Sequence, residues 1–375
     1  MTRLAGAVLA IGLLLVPAPA GAQSERYGTV SFSSTQTYES NLFAAPASRD
    51  PQPDLVFQLG PAFEVGRVSP ALKLVARYGL AAERYVDQVT LNKALARQDA
   101  AIELHRTSRR TTLDAKTSYV DTRTPRELNL ESGIAVGRAR AKRFSTDSTM
   151  TYDWSRSVRL DLSYLFTGDA LERGAVSRAH NAGFGVARHS GARGTQRIDY
   201  HVQQFSFTGQ RSELWHVVTA GWSRALTRLT TLEVALGPRF SDGTVRPEIN
   251  ASIRNRLQRG EISASFSKTQ VTAIGEDGSF EMQRFALGFV HHIRRAVTLN
   301  ARPAFMVGSR DHGRVSVYAL DVDAATRPRR GLSVVASGRL GSQHGTLGGR
   351  REEIPYRSVS LGLVATMPRS SPPTR

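Results

Sequence analysis

The sequence predicts an all-β fold: a transmembrane, antiparallel, up-and-down β-barrel of about 18 strands, with 16–20 as the bounds of that count. Three observations lead there. After residue 26 the chain runs in segments of about ten residues in which apolar and polar side chains alternate, as a strand with one greasy and one wet face requires. Turn residues separate those segments almost to the C-terminus. The first 22 residues read as a secretory signal peptide.

The leader comes first. Arg3 supplies a positive start, Leu4 to Val16 an apolar run, and Ala20-Gly21-Ala22 a small-residue cleavage site. The apolar run is shorter than the roughly 20 residues a spanning helix needs. No cysteine follows it, or occurs anywhere in the chain, so a lipoprotein anchor, a disulfide scaffold and thiolate zinc sites are excluded. The expected organisation is a signal peptide at 1–22, a barrel at 23–367 and a short polar tail at 368–375. A chain exported this way with no spanning helix enters a membrane only as a closed barrel, because lipid offers nothing to unpaired backbone groups.

Strands are expected at 27–38, 54–65, 71–85, 94–106, 111–121, 140–154, 157–167, 178–189, 195–207, 213–225, 229–240, 247–257, 261–272, 281–293, 296–308, 314–325, 331–342 and 355–367. An even number puts both termini on one side, expected to be the periplasm. Short connections such as 67–70, 108–110 and 294–295 alternate with generally longer ones such as 39–53, 122–139 and 341–354, the pattern of periplasmic turns and extracellular loops. The longest, 122–139, is the one expected to fold into the lumen.

Alternation also assigns faces. Lipid-facing residues include Leu72, Leu74, Ala76, Tyr78 and Leu80, and later Val359, Leu361, Leu363 and Ala365. Tyr38, Tyr85, Tyr119, Trp154, Phe166, Trp215, Trp222 and Phe240 lie near strand ends and are expected to form interfacial girdles. The opposite faces carry charge. The lumen-lining candidates are Lys73, Arg77, Lys116, Arg159, Asp161, Arg197, Asp199, Glu233, Arg254, Arg256, Arg284, Arg302, Asp321, Asp323 and Arg339. Two roles are open to them: lining a water-filled channel, or pairing across strands to stiffen the wall.

The chain has a formal charge of +18. Export argues against nucleic acid as the partner. What remains is attraction to anionic lipopolysaccharide at the rim, a lumen biased toward anions, or simply basic periplasmic turns. No catalytic or metal site is expected. The histidines are scattered outside any GxSxG or HExxH context, and His291 and His292, being adjacent on a strand, face opposite sides. Gly341–Gly349 lacks the ending of a phosphate loop and reads as a flexible extracellular loop.

The run Tyr38-Glu39-Ser40-Asn41-Leu42-Phe43, followed by a proline-containing loop and Asp54-Leu55-Val56, resembles the opening of the β-barrel porin type 2 family. Arg77-Tyr78 with Glu83-Arg84-Tyr85, and Trp154-Ser155-Arg156 with Leu160–Tyr164, resemble later strands of that family. Tyr38, Asn41 and Phe43 carry the motif. Glu39 stands where the family has Asp, and the last strand ends at Ala365-Thr366-Met367 without a final aromatic. The resemblance implies an outer-membrane conduit or scaffold associated with exopolysaccharide or exosortase systems, with no cofactor and no catalytic residue to carry over. The expected partners are outer-membrane lipid and lipopolysaccharide, the barrel assembly machinery, and polysaccharide-export components with their polysaccharide. The leading expectation is export of an anionic exopolysaccharide. The alternatives are a general or solute-specific diffusion porin, an outer-membrane enzyme, and a soluble secreted β-protein.

Overall fold

The computed structural model describes residues 24–129, 132–172, 174, 176–191, 193–294, 297–310, 313–346 and 352–367. The expected leader, the expected tail, His312 and Arg295 lie outside these residues.

Eighteen strands follow in order: β1 (Glu25–Glu39), β2 (Asp54–Ser69), β3 (Leu72–Tyr85), β4 (Lys93–Thr107), β5 (Thr111–Thr122), β6 (Ala141–Asp153), β7 (Val158–Leu171), β8 (Val176–His189), β9 (Gly194–Phe207), β10 (Glu213–Ala225), β11 (Thr230–Ser241), β12 (Thr244–Leu257), β13 (Gly260–Val271), β14 (Phe280–Arg294), β15 (Val297–Arg310), β16 (Gly313–Arg329), β17 (Leu332–Thr346) and β18 (Glu353–Thr366). Each pairs antiparallel with the next, and β1 pairs with β18, Ser31 opposite Thr366 through Glu39 opposite Ser358. The sheet is therefore closed and has no edge. Eighteen strands spaced about 4.8 Å and tilted about 40° give a backbone radius of about 18 Å, wide enough to enclose water. Both termini of the closed sheet lie at one end. We call this the turn end, because eight short connections join strands there, and the opposite end the loop end.

The two faces separate as alternation requires. Outward residues include Phe57, Leu59, Phe63 and Val65 on β2, and Val359, Leu361 and Leu363 on β18, all large, apolar and exposed. A belt of this kind is what hydrocarbon solvates. The inward residues of the same strands are Gln58, Ala62 and Glu64, and Ser358, Ser360 and Gly362.

Several boundaries depart from expectation. The connection between β11 and β12 is only Asp242-Gly243, both in the left-handed region, so one loop-end connection is as tight as a turn. Gly341 and Gly345 lie within β17 rather than in a flexible loop. Gly341 is needed there: a Cβ on it would stand 2.1 Å from the Tyr356 ring, which lies across it from β18. Two of the expected girdle aromatics face inward. Trp215 shares the inward face of β10 with Val217 and is 7% exposed, and Tyr85 shares the inward face of β3 with Glu83 and is 1% exposed. Trp154, Trp222, Phe166, Tyr38 and Phe240 do face outward.

Candidate functional site: a loop across the lumen

The connection between β5 and β6, residues 123–140, leaves the wall and crosses the lumen. Its first turn is a 3-10 segment, Pro125–Leu128, with proline at the position that needs no backbone donor. Glu127 ties this turn to its origin, accepting a hydrogen bond from Thr122 Oγ1 and pairing with Arg97 Nη1 on β4. The loop then reaches the far side of the ring. Ile134, 1% exposed, packs among Phe280, Met282, Met306, Val315 and Val317 from β14, β15 and β16. Gly133, at φ +65°, lets the backbone press flat against that wall, since a Cβ there would meet Met306 Cε at 2.4 Å. Ala135 N donates to Gln343 Oε1 on β17 at 2.8 Å.

Asn129 clasps a second loop, residues 272–279. Its Nδ2 donates to Ile274 O (3.1 Å) and to Ile134 O (3.2 Å), and its Oδ1 accepts from Ile274 N (2.9 Å). The second loop has its own anchor at the mouth. Ser279 Oγ donates to Glu213 on β10 and accepts from Gln270 Nε2. Beside it Arg239, fully buried, pairs with Glu248 (2.7 Å) and Glu281 (3.3 Å) and stacks on Trp215 with 5.1 Å to the ring centroid. That stack is why Trp215 belongs to the interior.

Two arginines fix the return of the crossing loop. Arg138 Nη2 lies 2.7 Å from Glu83, its Nη1 3.9 Å from Glu39, and its guanidinium 4.5 Å over the Tyr85 ring. Arg126 Nη2 lies 3.9 Å from the same Glu39, with its guanidinium 4.7 Å over Tyr356. Glu39 thus sits between two loop arginines.

The crossing divides the interior. One cavity of about 420 Å³ lies between Arg126, Asn129 and Gly133 of the loop and the wall residues Ser263, Arg284, Arg302 and Asp321. Another of about 360 Å³ lies between Arg126, Glu127 and Arg138 and the wall around Gln58, Asp323 and Ser360. A third of about 510 Å³ is lined by wall alone, including Arg159, Asp161, Arg197, Asp199 and Glu233.

The strand pairing puts all fifteen charged lumen candidates on the inward faces. Most are tied into ion pairs with wall neighbours. Arg77 bridges Glu64 (2.6 Å) and Glu103 (3.4 Å), and Lys116 lies 3.6 Å from Glu103. Arg159 pairs with Asp153, Arg197 with Asp199 and Asp161, Arg254 with Glu261, Arg302 with Asp323, and Arg339 with Asp321. Among the described residues Lys73, Glu233, Arg256 and Arg284 have no oppositely charged partner within 4.0 Å. Arg284 faces the cavity beside the loop, and its buried Nε makes no hydrogen bond.

The motif Tyr38, Asn41 and Phe43 is dispersed. Tyr38 faces outward, whereas Asn41 is buried and stitches the first loop, donating from Nδ2 to Ala45 O (2.7 Å) and Pro355 O (2.9 Å). Phe43 packs on the Leu42, Val56 and Tyr85 cluster beneath that loop. Sequence reasoning missed Arg126, Arg138, Asn129 and Ile134. A signal was present: Ile134-Ala135-Val136 is an apolar run in a segment that would otherwise face water. Among the described residues no three His, Asp or Glu side chains are grouped to hold a metal ion.

No protein-family model and no curated protein matches the chain. Solved structures of similar outline include Pseudomonas aeruginosa OpdO (10% identity, 92% of this chain and 97% of that one, TM-score 0.49) and Acinetobacter baumannii OccAB4 (5% identity, 93% and 100%, TM-score 0.49). The Pseudomonas aeruginosa siderophore receptor PirA is also similar (8% identity, 91% and 80%, TM-score 0.43).

Proposed function

We propose that the barrel is an outer-membrane diffusion channel for small hydrophilic solutes, with residues 123–140 as its constriction. The observation that carries this reading is the seating of that loop on the wall opposite its origin, through Ile134, Ala135 and Asn129. A loop held there narrows the path and leaves cavities of a few hundred Å³, the scale of small molecules. The apolar outer belt and the signal-peptide pattern support an outer-membrane location with both termini in the periplasm. Export of a polysaccharide chain asks for an uninterrupted bore, and the docked loop argues against it.

The unpaired Arg284 beside the constriction favours anions over cations of the same size. The test is reconstitution in planar bilayers and liposomes. Small sugars should pass with a steep size limit, and the reversal potential should indicate anion preference, reduced in Arg284→Gln. Removal of residues 125–137 should enlarge the conductance several-fold. A barrel that stays non-conducting after that removal would contradict the channel reading, and rapid passage of long polysaccharide through the intact protein would restore the export one.

A further inference from the structure

The chain's positive charge is not in the lumen wall, where acid and base are interleaved. It collects at the turn end. Of the eight connections there, seven carry arginine and none carries an acid. The loop-end connections mix signs, with Asp50, Asp87, Glu127, Asp242, Glu276 and Asp277 among their residues.

The arginines do not sit only at the tips. Arg106, Arg188 and Arg224 are on strands, exposed, and on the outward face, one alternation beyond the apolar residues Leu104, Val186 and Trp222. The best-formed grouping is on β8–β10. Arg188 is opposite Gln196, Gln196 is opposite Trp222, and Arg224 is opposite Gly194, whose neighbour is the turn residue Arg193. Trp222 is outward and 38% exposed. Trp154, 66% exposed and edge-on to Tyr152, stands among Arg109, Arg110 and Arg156 at the same end. None of these arginines has an acidic partner among the described residues.

We propose that this rim binds the headgroups of anionic phospholipids, with Arg188, Arg193 and Arg224 around Trp222 as its principal site. Tryptophan marks the boundary between hydrocarbon and water. Arginine there keeps its stem along apolar surface and its planar head in water, and the head binds phosphate oxygens in pairs. An acidic protein arriving from the aqueous side meets the turn tips, whereas the outward-facing members of the set lie against the leaflet. Lipopolysaccharide belongs to the other leaflet in the proposed orientation, so the occupant is phospholipid. This inference does not depend on whether the barrel conducts.

The test uses the purified mature barrel in mild detergent, with retained lipid read by native mass spectrometry. Phosphatidylglycerol, phosphatidylethanolamine and lipid A are offered in parallel. Phosphatidylglycerol should be retained preferentially. The double variant Arg188→Gln/Arg224→Gln should bind it about 30-fold more weakly at low salt, taking about fivefold per arginine. Arg178→Gln/Arg357→Gln, at the loop end, should leave it unchanged. Heat-modifiable gel mobility reports whether each variant has folded, and the unaltered protein supplies a second measure, since its preference should fade as salt rises. Equal retention of the two phospholipids, preference for lipid A, a salt-insensitive preference, or binding of polyglutamate without any phospholipid preference would each overturn the proposal.

Discussion

Replacing Arg138 by methionine tests whether charge holds the loop across the lumen. The side chain is 5% exposed and the Glu83 side chain beneath it 6%. Truncating one partner of such a pair leaves the buried Glu83 carboxylate without its ion-pair partner, holding only the hydrogen bonds from Tyr85 and Gln58, at about 3–5 kcal/mol. Loss of the stack on Tyr85 adds about 1 kcal/mol. Ile134 and the Asn129 clasp are untouched, so the barrel should fold while the ratio of docked to undocked loop falls by a factor of about 10³–10⁴. Single-channel recording is the assay. Arg138→Met should show larger, noisier steps than the parent. The double variant Arg138→Met/Glu83→Leu, which removes both members of the pair, should return most of the parental trace, because an apolar pair of similar bulk replaces a buried ion pair at little cost. If the single variant matches the parent in conductance and melting temperature, the electrostatic account of the latch is wrong. If the double variant is as noisy as the single one, the coupling to Glu83 is not what matters.

Three further outcomes follow from other parts of the molecule. Asn129→Ala removes two hydrogen bonds between the inner loops and one within the crossing loop, each worth about 0.5–1.5 kcal/mol, and should speed hydrogen exchange at the Ile274 amide at least tenfold while leaving strand amides protected. Leu361→Arg, on the lipid face, should cost about 2–4 kcal/mol if near mid-membrane and slow folding into vesicles, whereas Ser360→Arg, one residue away on the inward face, should be tolerated in the same assay. Burial, reinforced by neighbouring Asp277, raises the Glu276 carboxyl above its ordinary range. Glu276 lies in the second loop, which the Asn129 clasp holds to the crossing loop. Its raised acid pKa favours seating of that loop when the group is protonated and loses that contribution as pH rises through the raised value, so channel closures should become more frequent from neutral toward mildly acid pH, and Glu276→Gln should flatten that dependence.

The wall was legible because its pattern is local. Residues two apart share a face, so Val359, Leu361 and Leu363 announce lipid from three letters, and Arg159 with Asp161 announces water. The strand count and the closure followed from repeating that argument. The same parity contained one correction: Tyr85 is an even number of residues from Arg77 and Lys73, which were assigned inward, so its place inside the barrel was readable. Trp215 was not, because its reason to face inward is Arg239 on the next strand. The loop was legible in length but not in destination. Where Ile134 lands depends on Met306 and Val317, residues more than 170 positions away whose arrival there only the closed ring decides. The scattered Tyr38, Asn41 and Phe43 show the limit of a short motif: three letters within six positions serve the membrane face, a backbone stitch and a small core.

The bond from Ala135 to Gln343 joins residues 208 positions apart. Closing so long a segment is slow compared with zipping neighbouring strands, because its entropy is lost before any contact rewards it. A chain that has laid down β1 to β13 has no surface on which to seat the crossing loop. Narrowing of the passage is thus a late event in biogenesis, and protection of the Ala135 amide would serve as a timer for completion of the ring. Intermediates that stall before β17 would sit in the membrane with the passage unguarded, and permeability of the envelope to bulky solutes would rise before any loss of barrel protein became visible.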